Sequence, residues 1–138
     1  MGKSKNGKEM HYSVGAFVKR DEEFLLVERL KTPYGFAGIA GHMDRGETKE
    51  ETLIREVSEE SGLTVKDYNL VFEEEAKGNV CSKGVDTHYW YVFDCGASGS
   101  VKLNHLEAKS IGWYPPTKIR ELTLEPIWEY WFKKSKII

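Results

Sequence analysis

The sequence predicts one α/β domain in which a mixed β-sheet is covered by helices on both sides. Runs of β-branched and aromatic residues alternate irregularly with two helical patterns, and hairpins are mixed among them, which indicates a mixed sheet. The chain has 138 residues, of which 40% are hydrophobic and 30% charged, as expected for a domain with one hydrophobic core. Residues 10–138 are predicted to form this domain, after a flexible tail over residues 1–9.

The first predicted element is a β-hairpin. Residues 13–19 are rich in small and β-branched side chains, residues 24–27 are apolar, and the polar residues 20–23 between them form the turn. Residues 31–46 follow, rich in glycine and without periodicity, and are predicted to be one long loop. Long ordered loops in compact domains tend to be functional, so this segment is a candidate for the site.

A helix is predicted over Thr48–Ser61. Thr48 suits the N-cap position and is followed three residues later by Glu51, which is the pattern of a capping box. Gly62 stands where helices end in a left-handed residue, and Leu63 is placed to fold back onto the last turn.

Three strands are predicted after this helix, at Leu70–Glu74, His88–Phe93 and Ser110–Tyr114. Residues 96–100 are predicted to form a turn between the second and third of them. Two consecutive prolines at 115–116 stop the third strand, because proline cannot donate to a sheet.

The C-terminal segment is predicted to be a second helix. Pro126 suits its first turn, because proline lacks only a donor that the first turn of a helix does not use. One face of this helix is apolar at helical spacing: Ile127, Trp128, Trp131 and Phe132.

Three glutamates of the first helix face the same way. At about 100° per residue, Glu56 stands at i, i+3 and i+4 to Glu59 and Glu60. Like charges at these spacings destabilise a helix by about 0.2–0.5 kcal/mol per pair, and acidic groups near its C-terminus oppose the helix dipole. The neighbouring arc is aliphatic and is predicted to be the buried stripe: Leu53, Ile54 and Val57.

A divalent metal ion would resolve this repulsion. Mg²⁺ takes oxygen ligands and combines carboxylates with substrate phosphates and retained waters. A bound ion would neutralise phosphate charge, orient the phosphates and acidify a bound water. The alternative that these residues alone leave open is a solvated acidic face, softened by pairing of Arg55 with Glu59.

Charge and composition exclude several classes of function. The net charge is −2, with no basic excess to neutralise a run of phosphates, so no nucleic-acid polymer is expected as a partner. No apolar stretch approaches the ~20 residues of a membrane span, and the basic start lacks the apolar segment of a signal peptide. Cys81 and Cys95 are too few for a disulfide framework and are predicted to be reduced thiols of a cytoplasmic protein.

The segment Gly41–Leu63 carries the most specific pattern in the chain. Five residues separate Gly41 from Glu47, and seven more lead to Arg-Glu-Val-Ser-Glu-Glu-Ser-Gly-Leu at 55–63. This segment resembles the Nudix box, which is Gly, five residues, Glu, seven residues, Arg-Glu-aliphatic-any-Glu-Glu-any-Gly-aliphatic, and every defined position matches. The resemblance covers about residues 10–133, with Trp113 in a strand after the box, and it implies the Nudix α/β/α sandwich.

The resemblance implies a role for each polar residue of the box. Glu56, Glu59 and Glu60 would be ligands of Mg²⁺, with Mn²⁺ as a substitute ion, and Glu56 would also orient or activate the attacking water. Arg55 and Glu47 would steady these carboxylates, as residues behind a metal site commonly do.

Two further ligands are implied outside these glutamates. One is the backbone carbonyl before the box glycine, that of Ala40. Many relatives have Pro-Gly where this chain has Ile39-Ala40, so the shape of the loop is expected to differ while the carbonyl is kept. The other is Glu107, six residues before Trp113, as a ligand or base; an exposed loop glutamate is the alternative there.

The implied reaction is attack of water on a phosphorus of a diphosphate linkage. The expected substrate is a small molecule, either a nucleoside triphosphate or a nucleoside diphosphate derivative, and the chain is expected to be a monomer or a homodimer. Candidates for substrate contacts are Tyr34, Phe36 and His42, and the aromatic Tyr89 and Tyr91 are further candidates for base stacking.

Two alternatives stay open within the same fold. A non-catalytic binding or regulatory module typically loses box glutamates, and none is lost here. An enzyme similar to a prenyl-diphosphate isomerase needs an extra acid–base pair that typically includes a cysteine, for which Cys81 is the candidate.

Overall fold

The computed structural model describes residues 2–3, 9–31, 34–77, 87–106 and 108–138. In chain order its elements are β1 (Gly2–Lys3), β2 (Glu9–Arg20), β3 (Glu23–Arg29), β4 (Phe36–Ala37), β5 (Ile39–His42), α1 (Lys49–Ser61), β6 (Thr64–Lys77), β7 (Thr87–Ser98), β8 (Ala108–Tyr114), α2 (Pro116–Ile119) and α3 (Pro126–Lys134).

The strands form a mixed sheet around β2. Strand β2 runs parallel to β7 and antiparallel to β1, β3 and β5. Strand β6 pairs antiparallel with β7 on one side, and β4 and β8 pair with β3 on the other. The predicted α/β class with a mixed sheet is therefore confirmed.

The two longer helices lie on opposite faces of this sheet. A Cβ on Gly41, which pairs with Val14, would meet Glu56 of α1, whereas a Cβ on Gly15 would meet Trp128 of α3. Since consecutive residues of a strand point to opposite faces, Val14 and Gly15 assign α1 to one face and α3 to the other. The predicted α/β/α layering follows from this alternation.

The N-terminal hairpin is where the sequence places it. Lys19 pairs with Phe24 and Arg20 with Glu23, which leaves Asp21 and Glu22 as the two turn residues. Both have positive φ, 51° and 69°, as a tight turn between twisted antiparallel strands requires.

The predicted loop over residues 31–46 is partly strand. Residues 36–37 form β4, and residues 39–42 form β5, which pairs with β2. Strands of two and four residues are too short to produce an alternating pattern, so the glycine-rich sequence of this segment predicts a loop.

Strands β6 and β7 are longer than predicted. The turn predicted over residues 96–100 begins only after Ser98, because Gly96 continues the pairing with Asp67 and donates its N–H to that carboxylate at 3.1 Å. Register shifts interrupt β6 between Val65 and Asp67 and between Leu70 and Phe72. Such bulges break the period of two, which hid most of β6 in the sequence.

Helix α1 has the predicted ends, but its buried stripe is shifted. Thr48 and Glu51 form the capping box, and Gly62 closes the helix at φ 76°. Leu53 and Val57 are buried, whereas Ile54 is 47% exposed, so its assignment to the core was wrong. Compared with the predicted stripe, the buried face of α1 is shifted around the helix, away from Ile54 and toward the side that carries Glu56 and Glu60.

Helix α3 fills the core from the other side. All four residues of the predicted apolar face are buried: Ile127, Trp128, Trp131 and Phe132. Trp128 packs edge-on against Phe17 of β2 and Trp90 of β7, with ring centroids at 5.6 and 6.5 Å. Edge-to-face pairs at these separations add to the stabilisation from burial itself.

Several predictions fall partly on residues that the structure does not describe. The tail over residues 1–9 and the boundary at residue 10 stay predictions, and Cys81 and Glu107 lie outside the described residues. Cys95 is a buried free thiol, and burial raises its pKa to about 12, so it is held protonated. In the described part of the chain, no helix combines the length and apolarity needed to cross a membrane.

Candidate active site

The outer edge of β5 faces helix α1 with backbone groups. Met43, directly after β5, donates its N–H to the Tyr12 carbonyl of β2 at 2.9 Å. Met43 and Tyr12 are therefore a hydrogen-bonded pair of this antiparallel ladder. Antiparallel pairs alternate, so at Ala40 and His42 both backbone groups point away from β2. The Ala40 N–H accordingly donates to Glu60 Oε2 at 3.2 Å, and the His42 carbonyl accepts from Arg55 at 3.0 Å. The Ala40 carbonyl shares this outward direction.

Gly41 makes room for a carboxyl group against the strand. A Cβ at this position would lie 2.0 Å from Glu56 Cδ and 2.1 Å from its Oε1, far inside any allowed contact. The Glu56 side chain therefore occupies the space that a larger residue would fill, and only 14% of it is exposed. The first glycine of the box is required by this close approach of helix and strand.

Arg55 is the centre of a network of carboxylates. Its guanidinium donates to Glu47 through Nε at 2.6 Å and Nη2 at 3.0 Å, and through Nη1 to Glu56 at 2.9 Å and Glu59 at 3.1 Å. Asp44, 3.4 Å away and exposed, adds a further charge. The planar fork of arginine suits such multidentate pairing, and it orients Glu56 and Glu59 from behind.

Glu47 is held ionised by this network. Arg55, the Asp44 N–H and the Thr52 hydroxyl all donate to it, the last at 2.7 Å. The hydrogen bonds from Arg55 are the main cause that lowers the pKa of Glu47 from 4.5 to about 2. Glu47, predicted to support the metal-binding carboxylates, thus links the loop before α1 to the helix through these hydrogen bonds.

Replacing Glu47 with Gln is expected to destabilise the fold at neutral pH and not in strong acid. The folded pKa lies below the unfolded value, so the stability that ionised Glu47 contributes is fully present above pH 4.5 and is lost as pH falls toward about 2. Urea unfolding of both proteins at pH about 7, 4.5 and 3 measures this, and the difference should shrink at the lowest pH.

Glu56, Glu59 and Glu60 meet at the end of α1 with unbalanced charge. Burial raises the pKa of Glu56 above its usual value, opposed by the positive charge of Arg55, and the negative charge of Glu59 raises it further. The carboxyl of Glu60 is a hydrogen-bond partner of Glu56. Glu59 is the most open of the three, with 56% of its side chain exposed. Two carboxyl groups in contact need a proton or a cation between them.

These residues fit a divalent cation with oxygen ligands. The structure brings together the carboxyls of Glu56 and Glu60, the more exposed Glu59, and the outward backbone edge at Ala40. Carboxylates and backbone carbonyls are the ligands that Mg²⁺ and Mn²⁺ prefer. The single arginine among five carboxylates, those of residues 44, 47, 56, 59 and 60, leaves the negative charge of the cluster in excess.

The candidates for substrate contact are spread over three places. Tyr34 is 61% exposed on the surface, and Phe36 is half-buried with its ring 5.8 Å from that of Tyr114. Tyr91 lies half-buried on the α1 side, where the Lys49 ammonium is 5.5 Å from its ring centroid, and Tyr89 neighbours it at 5.2 Å. His42 points to the opposite face from Gly41, where it meets two other histidines.

Sequence reasoning missed two groups of residues at this end of the sheet. The first is Asp44 beside Arg55, which occupies a variable position of the box. The second is the pair His11 and His88, whose proximity to His42 depends on the register of three strands. No local pattern could have found this second group.

The match to the Nudix domain model runs from residue 9 to residue 134. The chain belongs to the Nudix family. The match extends far beyond the box and includes the hairpin, the sheet and helix α3, so the predicted family is confirmed. Enzymes of the Nudix family generally use divalent metal ions, in agreement with the donor set at α1.

Curated relatives match over a limited stretch. The chain is 36% identical to an ADP-ribose pyrophosphatase of Methanocaldococcus jannaschii over 61 residues, which is 43% of this chain and 36% of that protein. It is 40% identical to an NAD-capped RNA hydrolase NudC of an Enterobacter species over 55 residues, 39% of this chain and 21% of that protein. The alignments therefore span about a third and about a fifth of the two relatives.

Among solved structures, the Nudix domain of Shewanella oneidensis NrtR, solved in complex with ADP ribose, is similar over almost the whole chain. The TM-score is 0.76 at 16% identity, with 96% of this chain and 90% of that chain covered. At this identity the similarity establishes the Nudix fold alone.

Proposed function

We propose that this Nudix protein hydrolyses the diphosphate linkage of a nucleoside diphosphate derivative in a reaction that depends on Mg²⁺, with Mn²⁺ as a substitute. The observation that carries the proposal is the contact between the Glu56 and Glu60 carboxyls beside Gly41, with Glu59 next to them. A solvated acidic face would not place two carboxyls in contact against a strand, because repulsion and desolvation both oppose it.

Each residue of the cluster has a distinct task in this proposal. Glu56, Glu59, Glu60 and the Ala40 carbonyl would hold the cation, which when bound would supply charge neutralisation for the phosphates and a more acidic water. Arg55 orients Glu56 and Glu59, and Glu47 keeps Arg55 in place. Glu56, with only 14% of its side chain exposed and a raised pKa, would orient the attacking water and accept its proton.

The proposed substrate class is an adenosine diphosphate joined to a sugar. Two curated relatives carry names that refer to ADP-ribose and to an NAD cap, and the similar Shewanella oneidensis domain was solved with ADP ribose. Tyr89 and Tyr91 are half-buried on the α1 side of the sheet and would offer aromatic faces to the base. Tyr34 and Phe36 lie in the segment before β5 and would contact the remaining part of the substrate.

A substrate panel tests the proposal. ADP-ribose, NAD, ATP and a nucleotide sugar are incubated with the protein in Mg²⁺ and in EDTA, and the products are separated by chromatography. ADP-ribose should be cut to AMP and ribose phosphate only with the metal. Glu59→Gln should lower kcat by at least about tenfold, whereas Glu50→Gln, a charge-matched change on the same helix, should not.

Two outcomes contradict the proposal. Absence of any cleaved anhydride in Mg²⁺ would refute the activity. Full turnover by Glu59→Gln on the best substrate would refute this assignment of the metal site, whichever substrate is cut.

A further inference from the structure

A cluster of three histidines lies on the face of the sheet opposite to the glutamates. His11 is on β2, His42 on β5 and His88 on β7, and one nitrogen of each ring lies within 4.8 Å of the others. The ring centroids are 4.7 Å apart for His11 and His42, 5.7 Å for His42 and His88, and 5.8 Å for His11 and His88.

The register of three adjacent strands builds this cluster. His11 pairs with His88 across β2 and β7, and His42 pairs with Ser13, two residues along β2 from His11. Paired residues share a face, and so do residues two apart, so all three imidazoles project to the same side. Gly41, the neighbour of His42, faces α1, so the histidine side is that of α3.

We propose that His11, His42 and His88 form a binding site for a divalent transition-metal ion of the zinc class, separate from the glutamate site across the sheet. A tetrahedral zinc site with Zn–N bonds of about 2.0–2.1 Å places its ligand nitrogens ~3.4 Å apart and the ring centroids about 5 Å apart. The observed centroid separations lie near that value, and the ring nitrogens, within 4.8 Å of one another, would close to it through side-chain rotation on binding.

The ligand chemistry distinguishes this site from the glutamate site. Neutral imidazoles suit Zn²⁺, Co²⁺, Ni²⁺ and Cu²⁺, whereas Mg²⁺ prefers the oxygens of α1. His11 and His88 are 2% and 1% exposed, and His42 is half-buried and gives the site its opening to solvent. Three protein ligands leave a fourth position for water or another small ligand.

A metal ion bound here would join β5 to β2 and β7. Strand β5 is only four residues long and carries Ala40 and Gly41, which form the strand side of the glutamate site. Binding to the folded state alone stabilises it, so occupancy should raise the melting temperature and hold β5 in register.

The test is a Co²⁺ titration of the full chain without a polyhistidine tag, in excess Mg²⁺ that saturates the glutamate site. We expect one Co²⁺ per chain, with the visible absorption of tetrahedral nitrogen coordination and displacement by Zn²⁺. His42→Gln, at the half-buried position, should weaken binding at least about tenfold. His105→Gln, which changes the exposed fourth histidine in the loop before β8, should bind as the parent does.

Two results would overturn the site. One is a parent chain that takes up no Co²⁺ in excess Mg²⁺, a result that no folding defect of a variant can explain. The other is binding that survives both His42→Gln and His88→Gln. Glu59→Gln should retain the Co²⁺ absorption, so a failure of the proposed hydrolytic site and a failure of this site are distinguishable.

Discussion

Replacing Glu56 with Gln is expected to lower kcat/KM on the best diphosphate substrate by about 10²–10³-fold, or about 3–4 kcal/mol of transition-state stabilisation. Glutamine keeps the shape of the side chain and removes the charge that the cation requires. It also removes the acceptor for a proton from the attacking water. Glu50→Gln removes a charge on the same helix that pairs with the neighbouring Lys49 and not with the cluster around Arg55 in the described part of the chain, so its kinetics should match the parent.

The same substitution should not destabilise the metal-free protein. The pKa of Glu56 is raised in the folded chain, so its ionised form at neutral pH opposes folding, and neutralising it removes that cost. Thermal unfolding in EDTA should therefore show an equal or higher melting temperature for Glu56→Gln and for the double variant with Glu60→Gln. Added Mg²⁺ at about ten times its Kd stabilises the parent by about 1.4 kcal/mol, and the double variant should lose this increment. A large loss of metal-free stability would contradict the account.

Replacing Gly41 with Ala should abolish most activity while leaving the fold nearly intact. The new Cβ would lie 2.0 Å from Glu56 Cδ, and the carboxyl is the far end of a flexible side chain that can swing away. Displacement of a catalytic group by about 1 Å costs on the order of 10²-fold in rate. The free energy of unfolding should fall by less than about 1 kcal/mol, because no backbone or ring has to move.

Two other glycines provide matched controls for this prediction. A Cβ added at Gly112 of β8 would meet its nearest neighbour, the Tyr114 ring, at an ordinary 3.5 Å, so Gly112→Ala should change neither activity nor stability. A Cβ added at Gly38 would lie 2.6 Å from the Trp128 ring and 2.9 Å from the Ala16 carbonyl oxygen, so Gly38→Ala should destabilise by about 1–3 kcal/mol through overpacking. If Gly41→Ala behaved like Gly38→Ala, the close approach to Glu56 would be structural and not catalytic.

The ends of α1 could be predicted from neighbouring residues, whereas its buried face could not. A capping box and a left-handed glycine depend on a few neighbouring residues, so Thr48, Glu51 and Gly62 could be interpreted from sequence. Hydrophobicity suggested Ile54 for the core, but the inner face includes Glu56 and Glu60, at about 40° and 80° from Thr52. Glu56 can lie on the inner face because Gly41 of β5 has no side chain and leaves space for its carboxyl.

Long-range register limited the remaining predictions. The sequence predicts a loop where β5 lies because four residues cannot show alternation, and yet the outward backbone groups of β5 at Ala40 and His42 complete the candidate site. The histidine cluster requires the pairing of β2 with both β5 and β7. Neither pairing has a signal within a short window of sequence, because both depend on the packing of the whole sheet.

The most direct test of the central claim is a crystal structure with Mn²⁺ and a non-hydrolysable ADP-ribose analogue, in which anomalous scattering locates the ion. The account predicts anomalous scattering at α1 within about 2.0–2.3 Å of carboxylate oxygens of Glu56, Glu59 and Glu60 and of the Ala40 carbonyl oxygen, with diphosphate oxygens in the remaining coordination positions. A diphosphate bound elsewhere, or an ion that contacts none of the three glutamates, would contradict it.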